Sequence, residues 1–220
     1  MGIAKLKAEE EVLFTVEDYL KMERAAFERS EYLNGGIFAM AGESNKHGIV
    51  TMNLAGLIYL QLKGGSCQGR IKDTKIASNV LPEKKNPNSM KGMFSYPDLV
   101  IICGEPEYHD EHKDIILNPK VIIEVLSETT ELFDRNTKFI RYSKFNPTFT
   151  DYILVSQDKP MIEHFIRQDD ESWKIYTYFG LKESFTIESI KCKLKLSEAY
   201  DRVKFSKEAM KFLKEIMNVQ

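Results

Sequence analysis

Asp98 and Glu124 are each set inside an otherwise apolar run, Tyr96-Pro97-Asp98-Leu99-Val100-Ile101-Ile102 and Val121-Ile122-Ile123-Glu124-Val125-Leu126-Ser127. Burying a carboxylate without a partner is costly, so doing it twice predicts a cation at the same place. Side chains alternate across a strand. The two acids can therefore leave neighbouring strands on a common side while Leu99, Ile101, Ile123 and Val125 pack elsewhere. Two converging carboxylates suit a hard cation, Mg²⁺ first and Mn²⁺ as its substitute. The chemistry such a site predicts is metal-dependent hydrolysis.

The elements that must position these acids can be read in order. Thr15-Val16-Glu17-Asp18 has the form of a helix start, with Thr15 as cap and Asp18 in the capping-box position. Asn34-Gly35-Gly36 between Glu31-Tyr32-Leu33 and Ile37-Phe38-Ala39-Met40 predicts a hairpin. Ser44 and Asn45 open a helix whose apolar residues recur near the 3.6 period through Leu62, with Gly64-Gly65 ending it. Arg70 to Val80 reads as one strand and Pro82 to Ser95 as a surface loop carrying Lys84, Lys85 and Lys91. The two acid-bearing strands follow, then a helix from Ser127 to about Phe145, then strands at 150–155, 161–166 and 173–179. Short strands near 186–196 and helices at 196–200 and 206–217 complete an α/β (α+β) order with a mixed central β-sheet flanked by helices.

With 220 residues, 43% hydrophobic and 29% charged, the chain is expected to form one domain over 1–205, with residues 206–220 as an amphipathic helical extension. No segment approaches the roughly 20 apolar residues of a membrane span. Met1 to Glu11 carries neither an apolar stretch nor a small-residue cleavage site, so a cytoplasmic location is expected. Cys67, Cys103 and Cys192 include no pair at metal-ligand spacing and are read as free thiols. A net charge of −2 neither suggests nor excludes a nucleic-acid partner, since a bound divalent ion sets its own local field.

Pro97-Asp98, Glu124-Val125-Leu126-Ser127 and Asp134-x-x-x-Lys138 together resemble the Uma-two family of restriction-endonuclease-like proteins, within the PD-(D/E)xK nuclease superfamily. Ser30-Glu31-Tyr32-Leu33-x-Gly35-x-Ile37, Glu43-Ser44-x-x-His47 and Asp151-Tyr152-x-Leu154-Val155 extend the likeness over roughly residues 14 to 205. The resemblance implies a restriction-endonuclease-like fold and Mg²⁺-dependent hydrolysis of nucleic-acid phosphodiesters, with DNA the expected polymer. It assigns Asp98 and Glu124 to the metal, adds Glu31 as a further metal or water ligand, and makes Lys138 the cation that stabilises developing charge or positions the nucleophile. The superfamily pattern wants Lys two residues after the second acid, where this chain has Leu126. Lys138 lies about two turns into its helix, roughly 12–15 Å along the axis, and reaches the acids only if that helix folds back across the strand ends.

The remaining candidates are weaker on their residues alone. His47 opens the second helix and is a candidate substrate contact; Asp73 could face the cleft; Tyr142 reads as core. His109 and His112 are three apart without a further ligand group and read as surface. Two other functions stand beside the nuclease: a nucleic-acid-binding or regulatory module that has lost its chemistry, which the missing Lys favours, and a carbohydrate hydrolase using a carboxylate pair. The single Trp173 gives the latter no aromatic platform near either acid. A homodimer is expected, with the Met210, Leu213, Met217 stripe either supplying the contact or packing on its own sheet.

Overall fold

Apolar alternation and turn chemistry build the fold from its first hairpin onward. The computed structural model describes residues 12–40, 42–78 and 89–217. Helix α1 (Val16–Ala25) starts where Thr15 Oγ1 accepts from the Asp18 N–H at 3.1 Å. Strands β1 (Ser30–Leu33) and β2 (Gly36–Ala39) pair with Leu33 opposite Gly36. Asn34 and Gly35 both take positive φ, 48° and 102°, which the two-residue turn requires and which Asn-Gly supplies at little steric cost. Helix α2 (Asn45–Leu62) is capped by Ser44, whose Oγ accepts from the His47 N–H at 3.1 Å.

Six strands form the central sheet, in the order β11-β10-β9-β8-β6-β3: β3 (Cys67–Ile71), β6 (Leu99–Cys103), β8 (Val121–Leu126), β9 (Asp151–Ser156), β10 (Met161–Arg167) and β11 (Trp173–Phe179). Only β8 and β9 run parallel, so the sheet is mixed. Strand β8 is buried along its whole length, which explains its near-continuous apolar sequence. One face packs Leu99, Ile101, Ile123, Val125, Ile153 and Val155 against Val50, Leu54, Ile58 and Leu62 of α2. The ribbon of β12 (Ser184–Ile187) and β13 (Cys192–Lys195), with α4 (Leu196–Ala199), completes that layer.

The other face packs Val100, Ile102, Ile122, Tyr152 and Leu154 against α3 (Phe139–Phe145) and a second sheet. That sheet orders β2-β1-β5-β4-β7, with β4 (Lys75–Ser78), β5 (Met93–Ser95) and β7 (Ile115–Ile116). Helix α1 lies beyond it over Tyr32, Ala77, Phe94 and Ile115. Helix α5 (Lys207–Met217) buries Leu213 and leaves Met210 and Phe212 exposed. No helix among the described residues is long and apolar enough to cross a membrane.

Three expectations are corrected. The strand read over Arg70 to Val80 is two strands in different sheets, because Lys72 turns the chain at φ 46°. Within the loop read over Pro82 to Ser95, Met93–Ser95 is β5, while Lys84 and Lys85 lie outside the described residues. Cys67 and Cys103 are not free thiols. They are register partners on β3 and β6, and the pairing brings their sulfurs to 2.00 Å in a disulfide; Cys192 is free and buried.

Candidate functional site

Strand β8 carries Glu124 toward the layer between the two sheets, and the segment after it brings the cation. The chain turns over Ser127–Thr130, with the Glu131 N–H donating to the Ser127 carbonyl, and enters a π-helical turn over Phe133–Lys138 before α3. The wider i→i+5 repeat places Asp134 and Lys138 on the same inward side, both buried. Tyr152 Oη donates to the Asp134 carbonyl at 3.0 Å, giving that backbone oxygen a partner. The helix thus folds back over the strand, and the Lys138 ammonium ends 3.2 Å from Glu124 Oε1, 3.1 Å from Glu31 Oε1 and 3.0 Å from Asp134 Oδ1.

Asp98 sits at the entry to β6 and is tied to β8 in both directions. Its N–H donates to Glu124 Oε2 at 3.3 Å, and its Oδ2 accepts from the Val125 N–H at 2.8 Å. Its Oδ1 lies 2.7 Å from His47 Nε2, so the candidate substrate contact on α2 is engaged with an acid of the cluster. Ser44 holds that helix start in place by donating to Gln157 Oε1, while Gln157 Nε2 donates to the Leu126 carbonyl at 3.0 Å. Glu31 is fixed from β1 by Lys138 and by the Tyr96 N–H, 3.0 Å from Oε1.

The charges do not balance. Glu31, Glu124 and Asp134 face one ammonium, Asp98 lies beside Glu124, and Glu124, Asp134 and Lys138 are each no more than 5% exposed. Burial pushes the Glu124 carboxyl well above its ordinary range; Lys138 pulls it down, but Asp134, Asp98 and Glu31 push it further up. Burial alone would lower the Lys138 ammonium. Glu124, Glu31 and Asp134 reverse that and hold it well above the ordinary lysine value, so it stays charged. Burial and the Glu124 charge likewise keep the Tyr142 phenol protonated.

An excess of buried negative charge on hard oxygen donors fits a divalent cation held by Asp98 and Glu124. Among the described residues no group of three or more His, Cys, Asp or Glu side chains is disposed to hold a metal, because Glu31 and Asp134 are turned onto Lys138. Glu31 would join such an ion only by releasing the ammonium.

Some candidates lie elsewhere. Asp73 is exposed and pairs with Arg29 at 3.3 Å. His109 Nδ1 meets Asp110 Oδ2 at 3.2 Å, beside the Arg24–Asp110–Asp114 ion pairs. Tyr142, read as core, is fully buried, yet its hydroxyl lies 3.5 Å from Glu124 Oε1 and 2.8 Å from Ser95 Oγ. Its spacing of four from Lys138, one helix face, is the signal that could have placed it at the site. Asp134 has the same relation to Lys138 on the other side.

Comparison with known proteins adds to this geometry. The family model described as "Uma2: Putative restriction endonuclease" matches residues 16–198. Two Synechocystis sp. proteins described as uncharacterized, sll1609 and slr1290, are similar. The first is 30% identical over 168 residues, covering 76% of this chain and 89% of its own; the second is 33% identical over 162 residues, covering 74% and 78%. A crystal structure from Anabaena variabilis, described as a "putative nuclease belonging to DUF820", superposes with a TM-score of 0.67 at 14% identity. It covers 87% of this chain and 99% of that one.

Proposed function

We propose, for a chain that belongs to the Uma2 restriction-endonuclease family, that the cluster around Lys138 is the centre of a Mg²⁺-dependent nuclease acting on DNA. The observation that carries the reading is the sharing of one buried ammonium by Glu31, Glu124 and Asp134, with Asp98 bonded to the same strand. Asp98 and Glu124 would hold the metal, with Glu31 as the further ligand. A bound Mg²⁺ would neutralise charge developing on the phosphoryl oxygens and make a coordinated water more acidic.

The chain's own groups do the rest. Val125 N–H and His47 fix the orientation of Asp98. Lys138 retains its proton and offers a positive donor beside Glu124, suited to the negative charge of a transferring phosphoryl group. Tyr96 N–H orients Glu31, and Tyr142, supported by Ser95, lines the buried side of Glu124. This geometry supplies from the π turn the cation that the superfamily pattern places two residues after the second acid.

A second reading is a DNA-binding or regulatory module on the same fold. The engagement of Glu31 and Asp134 by Lys138 favours it, since among the described residues fewer than three donors are gathered to hold a metal. Cleavage of single- and double-stranded DNA by the full chain, with Mg²⁺ titrated from zero, separates the two. The nuclease reading expects cleavage that needs the metal and is lost in Asp98→Asn. Metal-independent DNA binding without cleavage selects the module, and neither binding nor cleavage removes both.

A further inference from the structure

Glu31 and Asp98 reach the cluster from different strands, and one buried carboxylate outside it holds both approaches. Glu23, in the last turn of α1, is 2% exposed. Its Oε1 accepts from the Tyr96 hydroxyl at 2.6 Å. The Ser30 N–H donates to Oε1 at 3.2 Å and to Oε2 at 3.1 Å, and Ser30 Oγ donates to Oε2 as well. Ser30 immediately precedes Glu31, and Tyr96 immediately precedes Pro97-Asp98. A single side chain thus ties the start of β1 to the segment that enters β6.

The tie passes to the acids by short, stiff paths. The Tyr96 N–H donates to Glu31 Oε1 at 3.0 Å, so the residue gripped by its ring hydroxyl holds Glu31 with its backbone. Pro97 fixes its own φ and biases Tyr96 toward extended backbone, which carries the placement of Tyr96 on to Asp98 with little play. Lys75 steadies the ring, its ammonium lying 5.3 Å from the centres of both the Tyr96 and the Tyr19 rings. Tyr19 Oη donates to the Ser30 carbonyl at 2.7 Å, so α1 fixes that residue at its carbonyl as well as at its N–H.

Stability alone accounts poorly for an acid at this position. Negative charge in the last turn of a helix opposes the macrodipole. A buried charge is also a poor source of stability beside an apolar side chain of the same volume. Among the described residues no cation pairs with Glu23 within 4 Å, although Lys75 feels its charge; three hydrogen-bond donors meet its two oxygens instead. What such an arrangement supplies is a fixed, directional span between two strands. We infer that Glu23 is a positioning residue: acting through Ser30 and Tyr96, it sets Glu31 relative to Asp98 and thereby the affinity of the cluster for Mg²⁺. The inference rests on the metal reading of that cluster.

Calorimetric titration of the full chain with Mg²⁺, joined to melting curves and to amide exchange at Tyr96 followed by NMR, tests it. The wild type is expected to bind, and Glu23→Ala to bind roughly 10-fold more weakly, with faster exchange of the Tyr96 N–H. Glu23→Gln should recover most of the affinity, since its carbonyl can accept from Ser30 and its amide can donate to a Tyr96 hydroxyl turned to accept. Leu20→Ala removes core packing from the same helix but none of these bonds, so it should lower the melting temperature and leave Mg²⁺ affinity as it was. Affinity or Tyr96 exchange unchanged in Glu23→Ala, no recovery in Glu23→Gln, or an equal loss in Leu20→Ala would each overturn the inference and leave the metal reading standing. No binding by the wild type would overturn both. If Glu23→Ala does not fold, Tyr96→Phe, which deletes one of the bonds and keeps the ring, decides: weaker Mg²⁺ binding upholds the assignment and unchanged binding removes it.

Discussion

His47 Nε2 lies 2.7 Å from Asp98 Oδ1, so the first turn of α2 is bonded directly to the acid that precedes β6. The contact joins the layer on one side of the central sheet to the cluster on the other. It also occupies one of the two oxygens of a candidate metal ligand, leaving the ring to set how that carboxylate points.

His47→Ala is therefore expected to weaken Mg²⁺ binding by roughly 10–100-fold while changing stability little, and His47→Gln, which keeps a polar partner, to recover part of the loss. Calorimetric titration with Mg²⁺ measures both. An affinity indifferent to the ring would disconnect His47 from the site.

Lys138 is the sole cation within 4 Å of Glu124 and Asp134 among the described residues. Lys138→Met should cost about 3–5 kcal/mol at neutral pH, since it strands buried carboxylates without a counter-charge. The deficit should shrink as pH falls, because carboxylates deprived of the ammonium take up protons. Urea denaturation at pH 7.5 and pH 5 reads both effects, and an equal loss at the two values would contradict the electrostatic account.

Asp110 provides the acid limb of the stability profile. Burial raises its carboxyl, but hydrogen bonds from Arg24, His109 and the His112 N–H outweigh that and hold it at about 2, against an ordinary 3.8. Asp114, bonded to the same guanidinium, is also lowered. A carboxyl depressed in the folded state adds stability that is full above its unfolded value and disappears as pH drops from about 4 to about 2. The contribution from Asp110 is on the order of 1–2 kcal/mol. Chemical denaturation from pH 6 to pH 2.5 should show the decline, and Arg24→Met should flatten it.

Much of this architecture was legible where local chemistry decides. Thr15 and Ser44 cap the helices the sequence marks, Asn34-Gly35 makes the turn its positive φ values demand, and the apolar run of β8 announces a strand buried on both faces. Other features depend on contacts far apart in sequence. The break at Lys72 follows from Cys67–Ile71 and Lys75–Ser78 joining different sheets, which no periodicity encodes. The Cys67–Cys103 bond follows from strand register across 36 residues. Residue spacing leaves open whether the helix bearing Lys138 folds back across the strand ends, the condition for reaching the acids. The turn over Ser127–Thr130 meets it by sending the helix back across β8.

The π turn between Asp134 and Lys138 has one more residue than a regular helix would use to cover the same rise. That surplus fixes the rotational phase of everything before it relative to Tyr142. Excising a single position from Arg135 to Thr137 would let the segment relax into ordinary α geometry, in which three residues turn only about 300°, and leave Asp134 about 60° off the side that faces Lys138. The acid–base cluster therefore tolerates substitution along this stretch far better than any change in chain length.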